Sequence, residues 1–257
     1  STGSLGLNNG GVTLADPLSA VIATQTYGSE GGDNQSLTRS PDLTGPFVKH
    51  TTVDAAPHSP GAKLDGGYFA DPTEGLAINE LRVNKSGAEA DFVELCGVGG
   101  LSLDGLSVVA ISGEFAPGKI DFALDLTGGV TDENGFFLLS DGTHALDPGD
   151  LSATFDFYGS PQTVLLVKDF TGATGDDLDA DDDGVLDATP WATVIDGVSL
   201  VDGDATADRN CSATVIGPDG AFLPGGAKAL PNGGDGFTLL PYGTESEDTP
   251  GYSNDPA

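Results

Sequence analysis

The 257 residues carry nine Lys and Arg against forty Asp and Glu, a formal net charge of −31. Such a surface repels nucleic-acid phosphates and anionic lipid, which argues against direct nucleic-acid binding or membrane-surface binding without a bridging cation. No run of about eighteen apolar residues is present, so no membrane insertion is expected. The 39 Gly and 16 Pro, with no long stretch of helical periodicity, point to short strands between many turns: an all-β chain with room for one large or two modest domains.

Taken in order, Gly6-Leu7-Asn8-Asn9-Gly10-Gly11 reads as a turn and Val12-Thr13-Leu14 as a short strand. Asp16-Pro17 turns the chain, and residues 20–27 alternate as a half-buried strand does, completing a hairpin. Phe47-Val48-Lys49-His50 is a further short strand, and Ser59-Pro60-Gly61 closes the segment. Residues 1–66 therefore form a first β module, 67–73 a connector carrying Tyr68 and Phe69, and 74–257 a second module. In the second, strands are expected at 77–83, 91–96, 101–111 (kinked at Asp104-Gly105), 120–126, 135–140, 153–157, 163–167, 192–200, 213–216 and 237–241, with a polar loop at 84–89. Recurrent turn signals between them predict a β-sandwich rather than a parallel α/β sheet.

Residues 168–193, between two of those strands, hold the densest chemistry. Seven of the twelve residues 176–187 are aspartates, which repel one another unless a cation sits among them. Asp179, Asp181 and Asp183 alternate, Gly184 follows, and Asp187 comes three residues later, as in the first part of a D-x-D-x-D-G calcium loop. Asp179, Asp181, Asp183, the Val185 carbonyl and Asp187 are the expected calcium ligands. Asp177 or Asp176 would replace the twelfth-position Glu, where Pro190 stands. With no flanking helical pattern this is a calcium loop mounted on strands rather than an EF-hand; the alternative is a solvated acidic loop. Trp191 directly after it either anchors the loop or is an exposed recognition residue.

Ile78-Asn79-Glu80, then Asp91-Phe92-Val93-Glu94-Leu95 and Leu103-Asp104-Gly105-Leu106, resemble the opening of a lamin-tail domain. Residues 8–14, Gln35-Ser36-Leu37-Thr38-Arg39 and Ser59-Pro60-Gly61 resemble the closing half of another copy, and Asp248-Thr249-Pro250-Gly251-Tyr252-Ser253-Asn254 the closing signature of the second. The resemblance implies an immunoglobulin-like β-sandwich, with one partial and one complete module. It further implies a binding or structural role with no catalytic residues, as in bacterial secreted proteins. The strand pair at 12–14 and 21–27 matches that at 164–167 and 194–200, the second being split by the aspartate loop. Because residues 1–66 match only a closing half, their missing strands are expected from outside. A neighbouring subunit would supply them in a homo-oligomer, filament or ring, unless the segment packs on its own second domain.

No G-x-S-x-G, H-E-x-x-H or phosphate-binding G-x-x-x-x-G-K is present. His50, His58 and His144 read as surface loop residues, and Glu80 and Glu94 as solvent-facing or turn-binding carboxylates. Asn34-Gln35-Ser36, Asn84-Lys85-Ser86 and Asn210-Cys211-Ser212 fit a glycosylation triplet too common to weigh. Cys96 and Cys211 lie in no metal or redox motif; an even count in an exported chain predicts one disulfide between them. A polar start at Ser1 fits a mature exported protein, or a boundary set elsewhere. The sum is a non-catalytic, calcium-stabilised structural or adhesive protein, extracellular or on the cell surface. The alternative is the accessory binding region of an extracellular nuclease or phosphatase.

Overall fold

Glycines, prolines and aspartates break this chain into short extended runs, and hydrogen bonding gathers those runs into sheets. The computed structural model describes residues 10–15, 19–29, 34–60, 62–65, 71, 73–83, 91–142, 147–157, 159–204, 210–242 and 246–255. Gly6-Leu7-Asn8-Asn9, Asp16-Pro17, most of the 67–73 connector, the 84–89 loop, Tyr158 and His144 lie outside the described residues. The chain divides into two compact units, residues 1–72 and 73–257.

The first unit contains two antiparallel hairpins. One joins β1 (Gly10–Ala15) to β2 (Val21–Tyr27), the other β3 (Leu37–Arg39) to β4 (Phe47–Lys49). Val12 and Leu14 are 48% and 59% exposed, so among the described residues this hairpin has no core to bury them.

The second unit is a sandwich. One sheet has the order β10-β9-β6-β5-β14-β15, built from β5 (Ala77–Arg82), β6 (Phe92–Cys96), β9 (Phe136–Ser140), β10 (Leu151–Ser152), β14 (Gly226–Ala229) and β15 (Phe237–Leu240). The other has the order β13-β12-β11-β7-β8, from β7 (Leu106–Ser112), β8 (Ile120–Asp125), β11 (Gln162–Lys168), β12 (Thr193–Leu200) and β13 (Thr214–Ile216). Ile78, Leu81, Val93 and Leu95 of the first sheet bury their side chains together with Val108, Ala110, Val164, Leu166 and Val198 of the second. Each fully buried residue of this size contributes roughly 1.5–3 kcal/mol.

A bulge at Asn79 shapes the first sheet: Ile78 pairs with Leu95 and Glu80 with Glu94, leaving Asn79 unpaired. The extra residue puts Ile78 and Leu81 both into the core. In the second sheet, β7 and β11 are apolar at successive positions rather than alternating. Val109, Ile111, Leu165 and Val167 form a second buried cluster, apart from the main core, with Ile120 and Leu178. These central strands are buried on both faces.

Several expected strands differ. The stretch 101–111 is a strand only from Leu106, with Ser102 making an isolated bridge to Val130. Residues 153–157 are not a strand; Phe155 instead packs tilted against Phe122 and Phe157 edge-on to it, at centroid distances of 5.0 and 5.2 Å. The short strands β3 and β14 were not expected, because Leu-Thr-Arg and Gly-Ala-Lys-Ala offer little β-branched or aromatic signal.

Both hairpins of the first unit recur in the second. Val12 pairs with Gln25 and Leu14 with Ala23, with a bulge before Ala15. Val164 pairs with Val198 and Leu166 with Asp196, with the bulge in the same place, before Val167. In the other hairpin Leu37, Thr38 and Arg39 face Lys49, Val48 and Phe47, as Ala227, Lys228 and Ala229 face Leu239, Thr238 and Phe237. The loops between, 40–46 and 230–236, have equal length. Beyond them Leu64 N–H donates to Asp42 Oδ2 at 3.0 Å and Asn254 N–H to Asn232 Oδ1 at 2.9 Å, the same bond 190 positions later. Ala62 N–H to Ser59 O and Tyr252 N–H to Thr249 O repeat a third contact.

The expected Cys96–Cys211 disulfide does not form; both thiols are free. Cys96 closes β6, between Ala77 and Phe136 in the first sheet. Cys211 packs against the second cluster, and its N–H donates to Thr163 Oγ1 of β11 in the other sheet. Facing sheets stand roughly 10 Å apart, beyond the ~7 Å Cα separation that a disulfide tolerates.

Candidate metal centre

The aspartate run sits in the connection from β11 to β12, held from below by apolar side chains. Leu178 is 2% exposed and packs into the second cluster, with Phe170, Leu186 and Trp191 partly buried around it. Trp191 is thus an anchor of the loop. The backbone docks as well: Ile120 N–H donates to Asp176 O at 2.9 Å, Gly175 N–H to Ile120 O at 2.8 Å and Leu178 N–H to Gly118 O at 2.9 Å. The loop therefore lies antiparallel beside the start of β8, with an isolated bridge between Lys119 and Asp177, and covers the outer face of the second sheet.

Above this floor the chain wraps around Asp179, which is 1% exposed. Its Oδ1 accepts the Asp183 N–H at 3.1 Å and its Oδ2 the Gly184 N–H at 2.8 Å. Two residues of the turn have left-handed backbone, Asp182 at φ 55° and Gly184 at φ 87°, and Gly184 holds its conformation without steric cost. Asp187 folds back: its N–H donates to Leu178 O at 2.7 Å, and its Oδ2 accepts the Ala180 N–H at 2.9 Å.

The result brings one carboxylate oxygen each from Asp179, Asp181 and Asp187 within 4.8 Å of one another. Carboxylate oxygens have spare lone pairs after accepting one N–H, and hard oxygen donors suit calcium or magnesium. Repulsion is visible in Asp181: the neighbouring Asp183 charge, ahead of slight desolvation and Asp187, raises its carboxyl above the ordinary aspartate value. A cation here would relieve that repulsion.

The other expected ligands are placed differently. Asp183 Oδ1 accepts the Val185 N–H at 2.8 Å, Asp177 Oδ1 the Asp179 N–H at 3.3 Å, and Asp176 Oδ2 the Ala173 N–H at 2.7 Å. These three carboxylates cap loop backbone and lie outside the convergent group. Leu178 escaped sequence reasoning, although it is the one large apolar residue in the first half of the run.

A second acidic cluster lies under the closing segment 246–255. Glu80 and Glu94 are fully buried, so of the two expected roles the turn-binding one is found. Glu80 accepts the Thr249 N–H at 3.0 Å; Glu94 accepts Asn79 Nδ2 at 2.7 Å and the Gly251 N–H at 2.5 Å. Arg82 Nε donates to Asp248 Oδ2 at 2.9 Å, and its Nη2 donates to Oδ1. Burial first, opposed by these hydrogen bonds, pushes Glu80 up to about 7 and Glu94 to about 8. Proton counting agrees. Thr249 Oγ1 lies 2.6 Å from Glu80 Oε2 and 2.5 Å from Asn254 Oδ1, while Asn254 Nδ2 donates to Asn79 O and Ala229 O. One hydroxyl proton serves one of those contacts, and a protonated Glu80 supplies the other. With a turn filling the space above them, these carboxylates hold segment 246–255 rather than face an open cleft.

His50 is buried, its Nδ1 2.8 Å from Ala56 O and its Nε2 2.9 Å from Ser59 Oγ, rather than a surface residue; His58 lines a groove beside Leu37 and Ser59. Among the described residues no helix is long and apolar enough to cross a membrane. No family model matches the chain, and no curated protein or solved structure matches it.

Proposed function

We propose that this is a non-catalytic structural or adhesive protein of the extracellular space or cell surface, built from lamin-tail-like, immunoglobulin-like modules and stabilised by calcium. The observation that carries this reading is the convergence of Asp179, Asp181 and Asp187 on a loop stapled to the second sheet by Leu178. Calcium at those carboxylates would fix the loop in place and so keep the outer face of β7 and β11 covered. The strongly acidic composition suits a medium rich in divalent ions and salt, where self-repulsion is screened. The recurrence of both hairpins supports a modular chain, as adhesive and fibrous proteins use.

Differential scanning calorimetry of the full chain with chelator and with millimolar calcium tests this. A hundredfold excess over Kd adds about 2.7 kcal/mol to the folded state and raises the melting temperature of the second unit by roughly 5–10 °C. The variants Asp181→Asn and Asp187→Asn abolish that rise while leaving the calcium-free transition in place. An identical melting curve with and without calcium defeats the reading.

A further inference from the structure

Among the described residues of the first unit no strand lies in the groove beside β3, and the second unit shows what fills such a groove. It measures about 640 Å³ and is lined by Leu37, Arg39, Asp42, Leu43, His58 and Ser59, among others. Shifted by the 190 positions that relate the two units, these residues correspond to Ala227, Ala229, Asn232, Gly233, Asp248 and Thr249. In the second unit those positions hold β5. Ala227 pairs with Leu81 and Lys228 with Glu80. Gly233 N–H donates to Asn79 Oδ1 at 2.8 Å, and Thr249 holds Glu80 through both its N–H and its hydroxyl.

We infer that the groove beside β3 is the seat of a β-strand of a partner chain, with an apolar-Asn-Glu-apolar pattern like Ile78-Asn79-Glu80-Leu81. Three observations fix this chemistry. First, the bonded pairs Ser36–His50 and Ser40–Pro46 turn Thr38 towards β4, so by alternation Leu37 and Arg39 present their backbone groups to the opposite edge. Among the described residues no strand pairs with that edge. Second, the Ser59 N–H stands where the Thr249 N–H meets Glu80, and the Leu43 N–H stands where Gly233 meets an Asn side chain; the Ser59 hydroxyl is held by His50 Nε2 at 2.9 Å. Third, the departures from the second unit are specific. His58 replaces the Asp248 that binds Arg82, so no cation is wanted after the motif. Ser36 replaces Gly226, whose missing Cβ admits the Leu81 carbonyl; the incoming strand therefore pairs at Leu37 and Arg39 and parts from β3 before Ser36. A second copy of this chain can offer its own β5 only by pulling Ile78, Leu81 and Glu80 out of a closed sandwich. Strand addition of this kind draws affinity from main-chain bonds and selectivity from side-chain pockets.

The test uses the full chain and a synthetic peptide of residues 74–81, read by amide hydrogen exchange. Millimolar peptide slows exchange at Leu37 and Arg39 by about tenfold or more and leaves Ala227 and Ala229 unchanged. The peptide carrying Glu80→Ala loses most of that effect. Leu37→Pro in the protein removes the edge donor without touching the Thr38–Val48 bonds, and it abolishes the effect. No slowing, equal slowing by the Glu80→Ala or a scrambled peptide, or a dimeric native mass with both amides already protected would each overturn the inference.

Discussion

Raising the pH from 6 to 9 ionises Glu80 and Glu94 inside the second unit, and that is the most direct probe of the network under the closing segment. Their carboxyls stand at about 7 and about 8 in the folded chain, against 4.5 when unfolded. The folded state therefore holds these protons more tightly than the unfolded state. The stability they confer is complete below pH ~4.5 and is lost as pH rises through 7 and then 8. Between pH 6 and 9 the linkage relation assigns a loss of about 3 kcal/mol to Glu94 and about 1 kcal/mol to Glu80. For a unit of this size that is a fall of roughly 10 °C in melting temperature. Thermal melts followed by circular dichroism at a fixed calcium concentration measure it. The double variant Glu80→Gln/Glu94→Gln, which keeps the shape and removes both titrations, should give a nearly flat profile over the same range. A flat profile for the unaltered protein, or an equally steep one for the double variant, would refute the assignment of protonated carboxyls.

Leu178→Ala should lower the stability of the second unit by about 2–4 kcal/mol in urea titration and expose residues 169–192 to proteolysis, since the loop loses its main apolar staple. Asp248→Ala leaves Arg82 charged in a buried site and should cost about 3–5 kcal/mol, more than any exposed aspartate of the chain. Dithiothreitol should leave the melting temperature unchanged, and Ellman titration in denaturant should find two thiols; a shift on reduction would restore the Cys96–Cys211 bond.

The strands were legible where the side chains that make a strand are themselves distinctive. Val-Ile-Ala-Thr-Gln-Thr-Tyr alternates, and Phe-Val-Glu-Leu-Cys carries branched and aromatic residues. β14 is written in Gly, Ala and Lys because its Gly226 must clear the Leu81 carbonyl, so its packing demand erased the strand signal. Asp179, Asp181 and Asp187 were legible as a group through spacing alone. Spacing did not separate Asp183 and Asp177 from them, because which carboxylate oxygens converge is decided only by the path of the folded turn. The role of Glu80 and Glu94 depended on contacts across more than 150 residues of chain, which no local pattern records. The Cys pairing failed because an even count says nothing about which sheet each cysteine joins.

The matched hairpins expose a rule by which this chain balances loop length against outward-facing residues. Where β11 and β12 are joined by a long loop, the residues turned away from the main core are Leu165 and Val167. Where β1 and β2 are joined by a short turn, the same two positions hold Thr13 and Ala15, and Thr13 Oγ1 lies 3.2 Å from Thr24 Oγ1 across the strands. Each hairpin thus carries the exterior that its own connection can shelter. Swapping the connections would fail in both directions: the long loop on β1–β2 would find no apolar seat for Leu178, and the short turn on β11–β12 would leave an oily stripe in water. Transplanting the aspartate loop into another sandwich therefore requires its two Leu165-like and Val167-like seats to travel with it.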